Sequence, residues 1–241
     1  MIKSSPSSQH IKIRRANERG HALHGWLDSF HTFSFADYYD PQHMGFRSLR
    51  VINEDRVEAG KGFGEHSHKD MEILSYVVEG ALKHKDSMGH ESVINTGDIQ
   101  KITAGTGIVH SEFNASHTKR VHFLQIWIVP KEKGLNPSYQ QFTLPSQDTT
   151  HPLLLIASSM GGKNIIQFYQ DVDLYRGTLK KGQKISHIFP PKRGGWMQMI
   201  QGSLELEGHS LKAGDGAAIE QQSQISLKAL ERCEFLLFDL Y

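Results

Sequence analysis

Short apolar runs alternate with polar, glycine-bounded stretches along the whole chain. Leu49-Arg-Val-Ile52, Ile73-Leu-Ser-Tyr-Val-Val78, Val121-His-Phe-Leu-Gln-Ile-Trp-Ile-Val129 and Phe235-Leu-Leu-Phe-Asp-Leu240 are rich in β-branched and aromatic residues. Such residues fit a pleated, half-buried surface and are favoured in strands. A helical period is hard to find over any long window. The pattern predicts an all-β protein, closed as a barrel or sandwich.

The turns repeat. Glu79-Gly80-Ala-Leu82, Gly89-His90 and Gly97-Asp98 follow the run Ile73–Val78; Gln201-Gly202-Ser-Leu204, Gly208-His209 and Gly214-Asp215-Gly216 follow Trp196-Met-Gln-Met-Ile200. The same hairpin series built twice predicts two antiparallel β-barrels in one chain. Between them, Pro130 to Pro152 is polar and proline-punctuated, which reads as a linker. The expected division is residues 1–130 for a first barrel, 131–152 for the linker and 153–241 for a second barrel.

A length of 241 residues allows a substantial core, and 27 basic against 26 acidic residues leave almost no net charge. No lysine-arginine stripe marks a nucleic-acid surface, so direct nucleic-acid binding is not expected. No apolar stretch approaches membrane-spanning length, and the polar start MIKSSPSSQH lacks the apolar core of a secretory signal. The single cysteine, Cys233, permits no intrachain disulfide and fits a reducing, cytoplasmic setting. Beside Phe235–Phe238 it reads as a packed strand residue.

Chemistry concentrates in two short pairs, His66-Ser-His68 and His110-Ser-Glu112. Residues two apart on a strand point to one face. Each pair therefore sends two metal-capable side chains in one direction. Brought together inside a barrel, three imidazoles and a carboxylate form a nitrogen/oxygen site for a divalent transition metal. With 15 histidines in the chain, chance alone gives about one His-x-His, so the surroundings carry the inference. Gly60-Lys-Gly62-Phe-Gly64 leads into His66, Glu72 and an apolar strand follow His68, and Gly105-Thr-Gly107 precedes His110, with Asn114 beyond. This succession resembles the two cupin motifs in order. Gly105 stands where a proline is common, and the lead from Gly97 is two residues longer than usual.

The segments RRANERGHALHGWLDSFHTFSFADYYDPQHMGF, LRVINEDRVEAGKGFGEHSHKDMEILSYVVEG and AGTGIVHSEFN resemble the pirin family, and more narrowly the shorter bacterial pirin-like proteins assigned quercetin 2,3-dioxygenase activity. The resemblance runs from about Ile11 to the C-terminus and weakens after the linker. It implies a bicupin (a double-stranded β-helix in each half) with one mononuclear metal in the first barrel, held by His66, His68, His110 and Glu112. Iron(II) is the metal it implies; Mn, Co, Ni, Cu and Zn also accept such ligands. Many cupins take their carboxylate from the first motif, which would point to Glu72, and strand parity leaves Glu72 open; the pirin pattern takes Glu112.

The implied reaction is oxygenative ring opening of a quercetin-like flavonol or a related enol, with dioxygen as co-substrate and carbon monoxide released. Glu112 is then also the candidate proton acceptor, provided that it can swing off the metal. The alternative is an iron-redox-responsive regulatory module with a protein partner, as eukaryotic pirins are described. Phe63, Met71 and Phe113 are candidate pocket residues, although Phe113 alternates away from His110 and Glu112. His21, His24 and His31 read as ordinary hydrogen-bonding groups, and Trp26, Phe30, Phe33 and Phe35 as core. In the second copy His187 is followed by Phe189 where another ligand would stand, so one metal site per chain is expected.

Overall fold

A computed structural model describes residues 10–145 and 151–241. The polar start up to Gln9 and residues 146–150 of the expected linker lie outside them. All the regular structure among the described residues is strand, apart from a single 3-10 turn at Ala16–Glu18. The chain divides into two compact units: Arg19–Ser146 with Met160–Gln170, and Met1–Glu18 with Gln147–Ser159 and Asp171–Tyr241.

The first unit is built from two antiparallel sheets. Its large sheet runs Ser138–Thr143, Asp98–Thr103, Glu72–Glu79, Val121–Ile128, Leu49–Val57, Leu27–His31, Gly20–Leu23. Its small sheet runs Gly62–His68, Ile108–Asn114, Ala81–Asp86, Glu91–Asn95. Each predicted apolar run of this half lies in the large sheet. Glu72–Glu79 and Val121–Ile128 are central strands buried on both faces, which is why they read as continuous hydrophobic runs. Ser138–Thr143 falls inside the segment read as linker. It is an edge strand, partly exposed along its length, and its sequence SYQQFT carries no apolar alternation.

The second unit repeats the plan with a large sheet and a small one. The small sheet runs Lys184–Ile188, Gln224–Ala229, Ser203–Leu206, His209–Lys212. The first strand of the chain, Ile11–Arg14, pairs with Gly216–Ile219 at the edge of this unit's large sheet, with Ile11 opposite Ile219. The repeated turns coincide in conformation. Gly80 (φ +83°) and Gly202 (φ +70°) are both left-handed, and a Cβ on either would press on the carbonyl of Arg120 or Arg232, at 3.0 and 2.0 Å. Only glycine meets both demands without strain.

In both units apolar clusters join the small sheet to the large one. In the first, Leu82 and Ile94 of the small sheet pack with Val57, Val77, Val121 and Phe123 of the large one. In the second, a larger cluster includes Met197, Leu206, Ile225, Leu227, Cys233 and Leu237. Cys233 is buried in its strand as expected, and burial pushes its thiol up to about 11.

Candidate metal centre

Gly62–His68 and Ile108–Asn114 lie side by side and antiparallel, with His66 opposite His110 and His68 opposite Ile108. Along the second strand Ile108, His110, Glu112 and Asn114 face inward, while Val109 and Phe113 face out. The alternation expected from the sequence therefore holds. A register shift between His110 and Glu112 sets the carboxylate opposite Phe63.

One ring nitrogen from each of His66, His68 and His110 lies within 4.8 Å of the others. The three rings are 4.5 to 4.9 Å apart by centroid. Glu112 belongs, on the same separation, to an overlapping set with His110 and His84. His110 is thus common to two sets, one with His66 and His68 and one with Glu112 and His84, a group that the sequence reading did not single out.

The donor atoms suit a cation. His66 Nδ1 lies 2.8 Å from the Gly64 carbonyl, which can only accept, so Nδ1 carries the proton and Nε2 keeps its lone pair. His68 Nε2 and both nitrogens of His110 are buried without a hydrogen-bond partner. Buried polar atoms are normally paired, and a cluster of orphans is the expected state of a ligand set. Burial, with the neighbouring imidazoles, pushes His68 down to about 4 and His110 down to about 3. Both are neutral at pH 7, the form in which imidazole binds metal.

The large sheet fixes the carboxylate. Gln125 Nε2 donates to Glu112 Oε2 at 2.8 Å, and the Ser75 hydroxyl lies 2.9 Å from Glu112 Oε1 and 2.8 Å from Gln125 Oε1. Ser75 and Gln125 are directly opposite each other in register. Trp127, two residues along, stands edge-on to His68 at 5.0 Å. The missed His84 donates from Nε2 to Asp86 at 3.0 Å, which leaves its buried Nδ1 with a lone pair and no partner. Glu72 lies elsewhere: it is fully buried, 3.2 Å from the Lys101 ammonium, and it accepts from the Tyr169 backbone N–H at 2.8 Å.

A cavity of about 660 Å³ opens beside the cluster and is lined by His66, His68, Glu112, Gln125 and Trp127. Its further wall carries groups that the sequence reading took as hydrogen-bonding or core residues, beside the expected Phe63. His21, His24, His31 and Phe35 all line it, as does Phe63. The strand ends at His31, so Phe33 turns into the core while Phe35 packs edge-on against Trp127 at 5.4 Å. Phe35 and Trp127 are therefore pocket residues. Met71 packs beside Ile73 and Ile108, and Phe113 is solvent-exposed. The unread signals were polar residues inside apolar strands: Ser75 in ILSYVV, Gln125 in FLQIWI, and Asn53 and Asp55 in VINEDRV.

The second unit has His187 at the place equivalent to His66. Its Nε2 is 2.9 Å from Asp239, and Phe189 packs edge-on at 4.7 Å. Both possible metal-holding sets found among the described residues lie in the first unit. No helix among those residues is long and apolar enough to cross a membrane.

Comparison with known proteins matches these observations. The profile of the family described as Pirin fits residues 12–128, and that of the Quercetinase C-terminal cupin domain fits residues 155–240. The chain is 48% identical to Quercetin 2,3-dioxygenase of Escherichia coli (strain K12), over 95% of this chain and 98% of that protein. It is 38% identical to the Pirin-like protein of Caulobacter vibrioides, over 91% and 95% of the two chains. The crystal structure of bacterial pirin YhhW from Escherichia coli, in complex with nickel(II), superposes with a TM-score of 0.91 at 48% identity, covering 95% and 98%.

Proposed function

The chain belongs to the pirin family, and on that footing we propose that it is a metal-dependent dioxygenase that opens the central ring of quercetin-like flavonols. The centre is held by His66, His68, His110 and Glu112. The observation that carries this reading is the group of neutral, unpartnered imidazole nitrogens beside a cavity with aromatic walls. The name carried by the Escherichia coli relative supports the substrate class.

A divalent ion in this position supplies Lewis acidity toward an enol hydroxyl and, where redox-active, electron transfer to dioxygen. Everything else falls to the chain. Glu112 adds one negative charge to three neutral histidines, and Ser75 and Gln125 keep it oriented. Phe35, Phe63 and Trp127 offer flat apolar surfaces to a planar substrate. The reaction takes up both atoms of dioxygen and expels one ring carbon as carbon monoxide. Iron(II) is the proposed native metal, and the cytoplasm the proposed location.

Metal analysis of natively expressed protein, combined with oxygen uptake on quercetin, tests the reading. Uptake is expected to depend on bound metal and to vanish in His110→Ala. Fully metallated protein that consumes no oxygen with any flavonol or small enol refutes it.

A further inference from the structure

We propose that Asp55 is the residue that accepts the substrate's enol proton, with the Ser29 hydroxyl holding its carboxyl in place. The assignment rests on the dioxygenase reading above and supplies the base that reading needs. Three carboxylates line the cavity: Asp37, Asp55 and Glu112. Glu112 Oε2 accepts from Gln125, and Oε1 shares the single Ser75 proton with Gln125 Oε1, so swinging away to collect a proton would break at least the Gln125 hydrogen bond in a buried setting. Asp37 is exposed, where water competes for any proton. Asp55 is 4% exposed, faces the cavity and accepts from Ser29 Oγ at 2.5 Å.

Register explains its position. Asp55 lies opposite Ser29 on one side and opposite Phe123 on the other, in the large sheet that also carries Gln125. Its neighbours along that face are Asn53 and, across from Asn53, His31. Burial raises the Asp55 carboxyl to about 7; the Ser29 hydrogen bond opposes this, and the charges of Glu112, Glu54 and Asp28 reinforce it. A base poised near working pH combines availability with proton affinity. His31 is the poorer acceptor, because burial and then the charges of His21, His24 and Arg19 lower its proton affinity.

The step balances simply. The enol O–H bond breaks, its electron pair stays on the substrate oxygen, and the proton forms a bond to an Asp55 oxygen. The neutral acid later returns that proton to the ring-opened product. Dioxygen supplies the oxidation, and Asp55 undergoes no net change.

Proton release on binding tests the assignment apart from turnover. Metal-loaded protein is titrated with quercetin without oxygen at pH 8, and protons released are measured by calorimetry in two buffers of different ionisation heat. Wild type is expected to keep the enol proton, because the negative charge of the flavonolate bound beside it raises the Asp55 carboxyl further, whereas Asp55→Asn sheds about one proton per flavonol to solvent, with oxygen uptake down roughly 100-fold or more. Metal content and thermal midpoint check the fold. If Asp55→Asn does not fold, Ser29→Ala decides: it keeps the carboxylate but loses the opposing hydrogen bond, so the basic-group inflection of kcat/KM shifts upward from its wild-type position. Equal proton release by wild type and Asp55→Asn, or an unmoved inflection in Ser29→Ala, overturns the assignment. A wild type that binds no flavonol overturns the dioxygenase reading first and this assignment with it.

Discussion

Replacing Gln125 by Met isolates the part of the centre that the large sheet supplies. The side chains have similar volume, but Met cannot donate, so Glu112 Oε2 loses its 2.8 Å hydrogen bond while Ser75 still reaches Oε1. A hydrogen bond to a charged group contributes about 1.5–3 kcal/mol net. If all of it served to hold Glu112 ready for the ion, metal Kd would rise by roughly 10- to 150-fold, at about 1.4 kcal/mol per decade. The untethered carboxylate can still reach the ion, so the expected loss is about 10- to 100-fold, as for other ligand-orienting partners. Competition for cobalt(II) against a fluorescent chelator at fixed pH measures it, and the cobalt absorption spectrum reports whether the carboxylate has left. Thermal unfolding of the metal-free protein separates lost affinity from lost fold. Affinity within twofold of wild type would mean that the Gln125 hydrogen bond does not hold Glu112 ready for the ion.

The two candidate carboxylates separate in one pair of variants. Glu72→Gln is expected to retain metal affinity while losing about 3–5 kcal/mol of stability, because it strands the buried Lys101 ammonium; Glu112→Gln is expected to lose the metal, and the reverse pattern in a dialysis and urea-unfolding comparison defeats the assignment. A pH prediction follows from Glu54. Burial pushes its carboxyl up, but the hydrogen bond from His122 and the charges of Arg19, Arg56 and His122 outweigh this and bring it down to about 2. A carboxyl lowered on folding stabilises above its ordinary value and loses that contribution as pH falls. Wild type is therefore expected to lose stability between about pH 4.5 and pH 2, and Glu54→Gln to show a flatter acid limb; parallel limbs count against it.

The sequence carried the fold and the side-by-side placing of the two predicted ligand pairs because both depend on period two. Strand alternation placed His66 with His68 and His110 with Glu112, and the repeated glycine turns disclosed the duplication. What it did not carry depends on which strands become neighbours. Ser75 and Gln125 are fifty residues apart and meet only through the pairing of two central strands. Asp55 reads as part of a charged trio, Glu54-Asp55-Arg56, and only the sheet shows that its middle member turns inward. Phe35 reads as core but lines the cavity, because it lies past the end of the strand at His31, where alternation no longer fixes a face.

The duplication shows what the polar interior of the first unit is for. Ser75 pairs with Gln125 as Met197 pairs with Leu237. His110 sits opposite His66 as Ile225 sits opposite His187, and Glu112 opposite His84 as Leu227 sits opposite Leu206. The positions of Ser75, His84, His110, Glu112 and Gln125 are thus filled by Met, Leu and Ile in the other unit, each at most 1% exposed. The same backbone accepts an apolar filling, so stability does not require the polar one. Unpaired buried polar groups each cost about 1–3 kcal/mol, and His84 Nδ1 and both His110 nitrogens are unpaired. Transplanting the whole apolar set as Ser75→Met, His84→Leu, His110→Ile, Glu112→Leu and Gln125→Leu should therefore raise the stability of the metal-free protein by several kcal/mol while abolishing metal binding. Urea unfolding in the presence of a chelator measures it. A five-site variant less stable than metal-free wild type would show that this arrangement serves the fold itself, and the case for a site retained for chemistry would lose its energetic basis.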